Sequence, residues 1–585
     1  MLRYISGNAA LSRKNTKKGE LRVNTVILTL NSKYIHSSLA PWYLAAAVKE
    51  IRAGATINVI ESTINRTVSD TFEEVRAVSP QLLACSCYIW NIEKTLEIAE
   101  RYKKEVPEAV IVLGGPEVGY RAEDVLNRYT FVDAVISGEG ETPFKELYCS
   151  LSEGGSFVGI AGVSYRTVAG LHIAEPCIGE GEPPSPYSEE YLSALQGRIA
   201  YIEGSRGCPF RCAFCLSGRC GTVRYFGLSR VIDDIKLLGN SGAKTIKFVD
   251  RTFNANRKRA IDIWSYIIEN SGKLWPRDVC FHFEIAGDLL DKESLELLQT
   301  APRGIIQVEI GLQSFNEKTL RSINRTTDVE KLCSNIKRLI SFGNIHTHID
   351  LIAGLPYEDI ESFEDSFNTA YYMYADNLQL GFLKLLYGAP MREERELYPC
   401  EFSAQPPYEI TATPWLTEED IKTLKYAEDS LERLYNSGRF KNTLRYLVEE
   451  LKLNPFALFK NIGVAVGNVE NVSLNEYTDR LFQCLSVYEK TDNGTLRDCL
   501  VMDKLTADAS GYIPKCLQVA DPMLKACKRE FNRIYGSGKK LGIAILYQGT
   551  PRAICVDYSK LNASGNYMVY TRSLSEQTDN KSVGN

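Results

Sequence analysis

Three closely spaced cysteines have the most distinctive chemistry in this sequence. Cys208, Cys212 and Cys215 stand in the segment CPFRCAFC. Three thiolates on one short loop can bind three irons of a 4Fe-4S cube and leave the fourth iron open to another ligand. Structural zinc, the alternative, usually takes four ligands in two pairs, and no fourth Cys or His follows at the usual interval. The spacing therefore indicates an iron-sulfur cluster with an open iron.

Polar residues follow several apolar segments downstream of these cysteines. Glu284 in FHFEIAG, Gln313 in EIGLQSFNE, Arg325 in RSINR and Asp350 in HIDLIAGLP stand on or just after segments with the character of strands. Reactive groups of a barrel built from alternating strands and helices lie at the carboxyl ends of its strands. We therefore expect these side chains to face one cavity.

Some of these positions also have a structural interpretation. Arg325 could form a surface ion pair, and Asp350 could cap a strand end. Asp250 and Arg251, after the strand in KFVDRTF, could face the cavity or form a structural ion pair. Tyr387, in LKLLYGAP, could line the substrate space or pack in the core.

Two series of alternating strands and helices must position these residues. From residue 24, apolar runs such as NTVILTL and AVIVLGGPE alternate with amphipathic stretches such as EKTLEIAERYKKE. This alternation is typical of βαβ units and of a parallel sheet covered on both faces. It predicts a doubly wound, Rossmann-like α/β domain over residues 22–150. Residues 151–195, with the run GEGEPPSPYSEE, are predicted to form a hairpin and a linker.

The second series begins at IAYIEGSRGC and extends to NLQLGFLKLLYG. Its strand-helix repeats predict a partial (β/α)6 barrel over residues 196–395, with the cysteine segment directly after the first strand. Beyond residue 400 the pattern becomes mostly helical, as in LTEEDIKTLKYAEDSLERLYNS. Residues 400–585 are therefore predicted to form a smaller, mostly helical C-terminal domain.

Composition and charge narrow the class of protein. The 585 residues carry a net charge of −5, which argues against a globally basic nucleic-acid binder. No apolar run approaches the roughly 20 residues needed to cross a bilayer, so no membrane association is expected. Residues 1–21 form a basic tail without the apolar core of an export signal. The sixteen cysteines are therefore expected to be mostly reduced in a cytoplasmic protein.

The CxxxCxxC segment, with Phe214 before its last cysteine, resembles the radical S-adenosylmethionine (SAM) superfamily over about residues 195–395. The resemblance implies that the open iron binds SAM. It also implies that one electron cleaves SAM to methionine and a 5'-deoxyadenosyl radical, which takes a hydrogen atom from the substrate. An electron donor such as flavodoxin or ferredoxin is implied as a partner.

The strand-end residues extend this resemblance to the coproporphyrinogen-dehydrogenase-like branch of the superfamily. By that resemblance Glu284, Gln313 and Asp350 would contact the ribose and other polar parts of SAM, and Phe214 would lie at the cofactor. Arg325 would bind the SAM carboxylate, for which a forked guanidinium is suited.

A doubly wound domain in front of such a barrel resembles the cobalamin-binding arrangement of cobalamin-dependent radical SAM proteins. Ser86 in CSCYIW and Gly114-Gly115 in VLGGPE match positions where the nucleotide tail of cobalamin enters the edge of the sheet. Glycines there let the backbone approach a bulky ligand. Gly138 and Glu139 in VISGEGETPF resemble the end of this domain in the same class.

His36 in YIHSSL takes the place of the cobalt-ligating histidine in methionine-synthase-type domains. Tyr34 and Leu39 stand where the Asp and Gly of the DxHxxG motif would be, so the carboxylate that orients such an imidazole is missing. Cobalt ligation, another cofactor-side contact, and capping or packing all stay open for His36. The segment LNSKYIHSSLAPWYL and the helical tail are similar to a subgroup whose C-terminal domain has no assigned function.

These features together favour a cobalamin-dependent radical SAM methyltransferase, which would methylate an unactivated carbon of an unknown substrate through methylcobalamin. A cobalamin-using radical oxidoreductase or cyclase without methyl transfer is one alternative. A non-catalytic cobalamin or cluster sensor is another. A tRNA methylthiotransferase is less favoured, because that group has a further N-terminal cysteine triad and a basic C-terminal RNA-binding domain. No residue is predicted to act as a catalytic acid or base.

Overall fold

The computed structural model describes most of the chain. The predicted basic tail, residues 1–21, lies outside the described residues. The rest forms an N-terminal doubly wound domain, a partial barrel and a mostly helical C-terminal region, so the predicted fold class is confirmed. The described ranges are 23–219, 221–467, 472–536, 540–562 and 566–574.

The N-terminal sheet has the strand order β2-β1-β3-β4-β5-β6-β7. Strands β1 to β5 are parallel, and β1 is buried along its whole length because helices cover both faces of the sheet. The β6-β7 hairpin pairs antiparallel with β5, so part of the predicted linker extends this sheet. The elements are β1 (Thr25–Asn31), α1 (Ala40–Ile51), β2 (Ile57–Thr63), α2 (Val68–Val78), β3 (Leu82–Ser86), α3 (Ile92–Glu105), β4 (Val110–Gly114), α4 (Pro116–Gly119), α5 (Ala122–Arg128), β5 (Ala134–Ile136), α6 (Glu141–Ser152), β6 (Val163–Thr167), β7 (Gly170–His172) and α7 (Glu189–Ser193).

The barrel is an open, six-stranded parallel sheet with the order β15-β14-β13-β12-β11-β8. Its strands alternate apolar residues, which pack against the helices, with polar residues in the lumen: on β12, Phe283 contacts Trp264 of α9, whereas His282 and Glu284 reach charged groups of neighbouring strands. The elements are β8 (Ile199–Ile202), β9 (Ser205–Gly207), β10 (Val223–Tyr225), α8 (Leu228–Gly239), β11 (Thr245–Phe248), α9 (Arg257–Asn270), β12 (Cys280–Ile285), α10 (Lys292–Gln299), β13 (Ile306–Gln313), α11 (Glu317–Ser322), α12 (Val329–Phe342), β14 (His346–Ala353), α13 (Ile360–Tyr371), β15 (Asn377–Phe382) and α14 (Pro390–Glu393).

The C-terminal region shares one continuous hydrophobic core with the barrel, to which it contributes Phe456 and Phe459 against Phe367 of α13. Its last three strands, β18, β19 and β20, form an antiparallel sheet with β19 in the middle. Among the described helices, none is both long and apolar enough to span a bilayer. The elements are β16 (Glu401–Phe402), β17 (Ile410–Ala412), α15 (Glu418–Leu431), α16 (Lys441–Leu444), α17 (Pro455–Val466), α18 (Leu474–Leu485), α19 (Asn493–Ala507), α20 (Pro522–Tyr535), β18 (Leu541–Leu546), β19 (Arg552–Leu561) and β20 (Tyr567–Ser573).

One buried carboxyl group ties the end of β13 to helix α13. Glu358 is fully buried, and its Oε1 accepts hydrogen bonds from the hydroxyls of Ser314 and Ser366, the latter at 3.3 Å. Its Oε2 is buried without a hydrogen-bond partner among the described residues. Burial raises the pKa of Glu358 to about 7, against the opposing effect of the two hydroxyl donors.

The raised pKa of Glu358 predicts a loss of stability at neutral pH. The folded state holds the proton of Glu358 more tightly than the unfolded state does. Protonated Glu358 therefore contributes fully to the free energy of unfolding below the unfolded pKa, about 4.3, and this contribution is lost as pH rises through the folded pKa. We expect Glu358→Gln to reduce the fall in Tm between about pH 5 and about pH 7.5. Glu361→Gln, at an exposed site on α13, is the control. Identical pH profiles for Glu358→Gln and the wild type would contradict this prediction.

Candidate functional site

The cysteine loop lies beyond β8, after the short strand β9. Cys208 and Cys212 are buried and Cys215 is partly exposed. The Sγ of Cys208 lies 3.3 Å from Oγ1 of Thr252, and the Sγ of Cys212 accepts a hydrogen bond from Nη1 of Arg325 at 3.7 Å. Two of the three sulfurs therefore already have polar neighbours on other barrel segments.

Backbone hydrogen bonds hold this loop against the rest of the barrel. The amide of Ala213 donates to the carbonyl of Ile323 at 2.9 Å, and the amide of Met391 donates to the carbonyl of Ala213 at 3.0 Å. The loop is thus fixed by segments that follow β13 and β15. Within the described ranges, no three His, Cys, Asp or Glu side chains converge on a site for a single metal ion. A 4Fe-4S cube takes one thiolate per iron, so its cysteine sulfurs lie further apart than the ligands of a single metal ion.

A cavity of about 170 Å³ opens beside the cysteine loop. It brings together four of the five residues predicted to contact SAM. Phe214 does not line it and instead packs, partly buried, against the barrel core, whereas Phe210 of the same loop does line it. The four predicted residues at this cavity are Glu284, Gln313, Arg325 and Asp350.

The shape and polarity of this cavity fit a polar ligand. Gln313 has a φ of +70°, and its Oε1 is buried without a hydrogen-bond partner in the described part of the chain. The Nε of Arg325 is buried and unpaired in the same way, while its Nη2 donates to the carbonyl of Gly311 at 2.6 Å. A Cβ at Gly311 would lie 2.0 Å from Nε2 of Gln313, so the glycine provides the space that this side chain occupies. Buried polar atoms without partners are costly, and a bound polar ligand would satisfy them.

Ionisable side chains from three barrel strands, β11, β12 and β13, extend from this cavity into the lumen. Nζ of Lys247 lies 3.2 Å from Oε1 of Glu284 and 3.1 Å from Oε2 of Glu309. Nε2 of His282 lies 3.0 Å from the same Glu309 oxygen. Against the effect of burial, His282 and Lys247 lower the pKa of Glu309 to about 2.

Sequence reasoning missed Lys247, His282 and Glu309. A signal was present, because each lies one position from apolar residues in an alternating strand, as in TIKF and IQVEIGLQ. Within such strands the polar positions all face one side, opposite the helices. Applied to every barrel strand, this rule would have indicated a polar lumen.

The residues for which the sequence allowed two interpretations lie in different parts of the barrel. Asp250 is buried and accepts hydrogen bonds from the amide of Gly204 at 2.8 Å and from Oγ of Ser205 at 2.6 Å, so it ties β11 to the start of β9. Arg251, its neighbour, lines the cavity beside the cysteine loop. Tyr387 lies beyond the end of β15, outside that cavity, with the guanidinium of Arg392 3.6 Å from its ring centre.

A second cavity, of about 230 Å³, lies at the carboxyl edge of the N-terminal sheet. Its lining includes Ser86, Gly114, Gly115 and Gly138, four of the six residues predicted to contact cobalamin. Gly115 has a φ of +106°, and a Cβ there would lie 2.6 Å from the carbonyl oxygen of Cys87. The small residues at the ends of β3, β4 and β5 thus leave a recess in the sheet edge, which fits the entry of a bulky ligand tail.

The other two predicted cobalamin contacts do not line this recess. Glu139 accepts hydrogen bonds from Arg206 and, at 2.6 Å, from Nη2 of Arg224. Although burial opposes the effect, these two guanidinium groups lower the pKa of Glu139. His36 turns towards the barrel, where its Nδ1 lies 2.7 Å from the hydroxyl of Tyr201.

Family models match three successive segments of the chain. Residues 25–148 match the B12 binding domain, residues 202–370 match the Radical SAM superfamily, and residues 396–545 match a protein of unknown function, DUF4080. The first match implies cobalamin, and the second implies SAM and a 4Fe-4S cluster, in agreement with the predicted cofactors.

Curated proteins with related sequences include enzymes of two kinds. The cobalamin-dependent radical SAM methyltransferase TokK of Streptomyces tokunonensis is 28% identical over 311 residues, which cover 49% of this chain and 44% of TokK. The anaerobic magnesium-protoporphyrin IX monomethyl ester cyclase of Rubrivivax gelatinosus is 26% identical over 356 residues, 56% of this chain and 61% of the cyclase. The chain therefore spans about half the length of these relatives.

A solved structure shows the same fold over most of the chain. The cobalamin-dependent SAM radical enzyme OxsB, with aqua-cobalamin and SAM bound, superposes with a TM-score of 0.57 at 14% identity, covering 88% of this chain and 82% of OxsB. At this level of identity the likeness is one of fold.

The recess in the N-terminal sheet predicts a size limit at Gly114. A Cβ at this position would meet its nearest atom, on Ile136, at 3.8 Å, an ordinary contact, so Gly114→Ala is expected to keep cobalamin binding. Gly114→Leu would fill the recess, and a clash of about 1–3 kcal/mol would weaken binding about tenfold or more. Cobalt bound per chain, after reconstitution with hydroxocobalamin, measures the effect. Equal loading of the two variants would exclude the recess as the binding site.

Proposed function

We propose that this chain, a radical SAM protein with a B12-binding domain before its barrel and a DUF4080 domain behind it, is a cobalamin-dependent methyltransferase. The observation that carries the proposal is the continuity of the cysteine loop with the adjacent polar cavity. Arg325 belongs to both, since one of its nitrogens reaches the Cys212 sulfur and its side chain lines the cavity. The relative TokK, a cobalamin-dependent radical SAM methyltransferase, supports this proposal.

In this proposal Cys208, Cys212 and Cys215 hold the cluster, and the cavity beside them holds SAM. The buried, unpaired Nε of Arg325 and Oε1 of Gln313 are groups that a polar ligand can satisfy. The planar guanidinium of Arg325 suits a carboxylate. The carboxyl groups of Glu284 and Asp350 can accept hydrogen bonds from ribose hydroxyls.

When bound, the 4Fe-4S cluster supplies the electron that cleaves SAM, and cobalamin supplies the methyl group. The chain's own contribution is to hold these groups at fixed positions. Nζ of Lys247 lies 3.2 Å from Oε1 of Glu284, and this ion pair orients a carboxylate that lines the SAM cavity. At the carboxyl edge of the N-terminal sheet, room for the cofactor tail is left by Ser86, Gly114, Gly115 and Gly138.

The partners and location follow from the same chemistry. A one-electron donor of the flavodoxin or ferredoxin type would supply the reducing equivalent. No disulfide joins two cysteines in the described part of the chain, which is compatible with a reducing cytoplasm. The substrate is a molecule whose carbon the barrel presents to both cofactors. The net charge of −5 does not favour a nucleic acid as the substrate.

Cleavage of SAM tests the radical part of the proposal. Protein reconstituted without oxygen, with iron, sulfide and cobalamin, is expected to form 5'-deoxyadenosine from SAM and dithionite. Cys212→Ala is expected to lower this activity to the background, because one iron loses its ligand. Cys484→Ala, which changes a partly buried cysteine of α18, is the control. An active Cys212→Ala variant, or a wild type that forms no 5'-deoxyadenosine, would refute the assignment.

Formation of S-adenosylhomocysteine separates methyl transfer from other radical chemistry. Reduced, cobalamin-loaded protein is expected to convert about one SAM to S-adenosylhomocysteine per bound cobalamin, even without substrate, because the cobalt takes up one methyl group. The Gly114→Leu variant is expected to lose this activity in proportion to its loss of bound cobalamin but to keep 5'-deoxyadenosine formation. Formation of 5'-deoxyadenosine without S-adenosylhomocysteine would favour an oxidoreductase or cyclase.

We expect SAM binding to depend on the guanidinium group of Arg325. Arg325→Lys keeps the charge but loses the paired donors, and loss of a charged hydrogen bond of about 1.5–3 kcal/mol would raise the Kd for SAM about 10- to 100-fold. Arg321→Lys, at an exposed ion pair of α11, is the matched control. The shift of the reduced cluster's electron paramagnetic resonance (EPR) signal on SAM addition gives the Kd. Unchanged affinity in Arg325→Lys would contradict this role.

A further inference from the structure

A histidine of the barrel lumen, His348, lies two residues before Asp350 on the same strand, β14. Residues two apart on a strand face the same side of a sheet, so both side chains point into the lumen. In the pairing with β13, Asp350 is in register with Gly311 and His348 with Glu309. Asp350 and Glu309 line the cavity beside the cysteine loop, whereas His348 is not part of that lining. The imidazole therefore lies behind the cavity wall, beside two of its carboxyl groups.

The imidazole of His348 contacts the carboxyl group of Asp350 directly. Nε2 of His348 lies 3.0 Å from Oδ1 of Asp350. Both atoms are buried, and neither has a hydrogen-bond partner elsewhere among the described residues. Because a buried polar atom without a partner is costly, each of the two groups depends on the other. The contact occupies one oxygen of the carboxyl group, and the second oxygen can accept a hydrogen bond from a ligand in the cavity.

The surrounding charges favour the protonated form of His348. Although burial opposes the effect, the hydrogen bond and charge of Asp350 and the charge of Glu309 raise the pKa of His348. Burial also raises the pKa of Asp350, and His348 and Lys247 act against this effect. Asp350 is thus a carboxyl group in a poorly solvated site, and the cation that stabilises its charged form from the same strand is His348.

Other ionisable groups face this part of the lumen from the neighbouring strands. On the far side of β14, the residues of β15 in register with His348 and Asp350 are the uncharged Asn377 and Gln379. The carboxyl group of Asp376, just before β15, accepts a hydrogen bond from the amide of Thr347 at 2.9 Å. The ionisable groups of the other strands and of the start of β14 are Lys247, His282, Glu284, Glu309 and His346.

We propose that His348 is a positioning residue of the SAM site, which holds the carboxylate of Asp350 towards the cavity and takes up a proton from solvent when SAM binds. The proposal rests on the proposed function, because it needs SAM in this cavity. A ligand in the cavity excludes water from Asp350, and a carboxylate that loses water needs a cation or a hydrogen-bond donor in its place. Protonated His348 is both, since its two ring nitrogens then carry hydrogen.

Uptake of a proton makes the affinity for SAM depend on pH. Because the complex holds the proton of His348 more tightly than the unliganded protein does, the gain in affinity is complete below the pKa of His348 in the unliganded protein. It is lost as pH rises through the pKa of His348 in the complex. If these two pKa values differ by one, the Kd changes tenfold. The α-amino group of SAM also titrates, at about 8, so the informative quantity is the ratio of the Kd values of two proteins at each pH.

Substitution of His348 by glutamine tests this role. The amide nitrogen of glutamine can donate to Asp350 from about the position of Nε2, but it carries no charge. In protein loaded with cluster and cobalamin, the EPR signal of the reduced cluster gives the Kd for SAM. We expect this Kd to be about tenfold higher in His348→Gln than in the wild type at about pH 6.5, and nearly equal in the two proteins at about pH 9.

The matched control is His346→Gln, two residues earlier on the same strand. Its Kd relative to the wild type is expected to be the same at every pH. A Kd ratio for His348→Gln that does not change with pH would overturn the proposal, because a loss of packing alone weakens binding equally across the pH range.

A double-mutant comparison tests whether His348 acts through Asp350. The variant Asp350→Asn has no carboxylate for a cation to stabilise. Adding His348→Gln to Asp350→Asn is therefore expected to change the Kd for SAM by the same factor at every pH. A factor that still falls with rising pH would mean that His348 acts on SAM by another route, and would overturn the positioning role.

Histidine titration by NMR distinguishes failure of this proposal from failure of the proposed function, because it needs no SAM. The full chain has five histidines, so after labelling with nitrogen-15 histidine the signals missing from His348→Gln belong to His348. We expect them to titrate above the usual value of about 6.5 and to titrate lower in Asp350→Asn. The signals of His172, on β7, are expected to be the same in both proteins.

The two failures then differ in their results. A titration of His348 at the usual pH that Asp350→Asn does not change would overturn the pair, whether or not SAM binds. A raised titration that responds to Asp350→Asn, in protein that binds no SAM, would refute the proposed function and leave the pair of His348 and Asp350 standing.

Discussion

The position of the cysteine loop depends on the contacts of Arg206, two residues before Cys208. Its guanidinium donates to Glu139 and lies 2.6 Å from Glu141 and 2.9 Å from Glu203. Two of these carboxylates belong to the N-terminal domain, so the cluster loop and the cobalamin domain share one largely buried cation. Removing one partner from such a group leaves charge unpaired in a poorly solvated site, which costs far more than the ion pair contributes on balance. The relative placement of the two cofactor regions is therefore sensitive to this one residue.

The polar character of the barrel lumen follows from the small number of strands in the barrel. The interior of a closed eight-stranded barrel is filled by layers of bulky apolar side chains. In this six-stranded sheet the inward positions hold Lys247, His282, Glu309 and other ionisable groups, paired with one another at 3.0–3.2 Å. Pairing satisfies charges that burial would otherwise penalise. Beside the cysteine loop, where SAM is proposed to bind, Oε1 of Gln313 and Nε of Arg325 are instead buried and unpaired among the described residues.

Much of the lining of both cavities could be predicted from local pattern. Ser86, Gly114 and Gly138 could be placed together because the carboxyl ends of parallel strands meet at one sheet edge. Glu284 and Asp350 were found by the same rule. Phe214, which is predicted to lie at the cofactor, does not line the cavity, and Phe210 does, because the path of a loop between its anchoring points is not periodic. The role of Lys247 was missed although the alternation of β11 contains it.

The sequence by itself determined the spacing of the three cysteines, the order of strands and helices and the small residues at strand ends, since each depends on spacing or periodicity within a short segment. Only the tertiary structure decided which distant groups meet. The partner of His36 is Tyr201, 165 residues further on, and the partner of Glu139 is Arg206, 67 residues further on. Such contacts depend on how two complete domains pack against each other. The types of the two residues do not reveal that they lie close together in the folded protein. For this reason a histidine in the position of a cobalt ligand can lie against the edge of a neighbouring barrel.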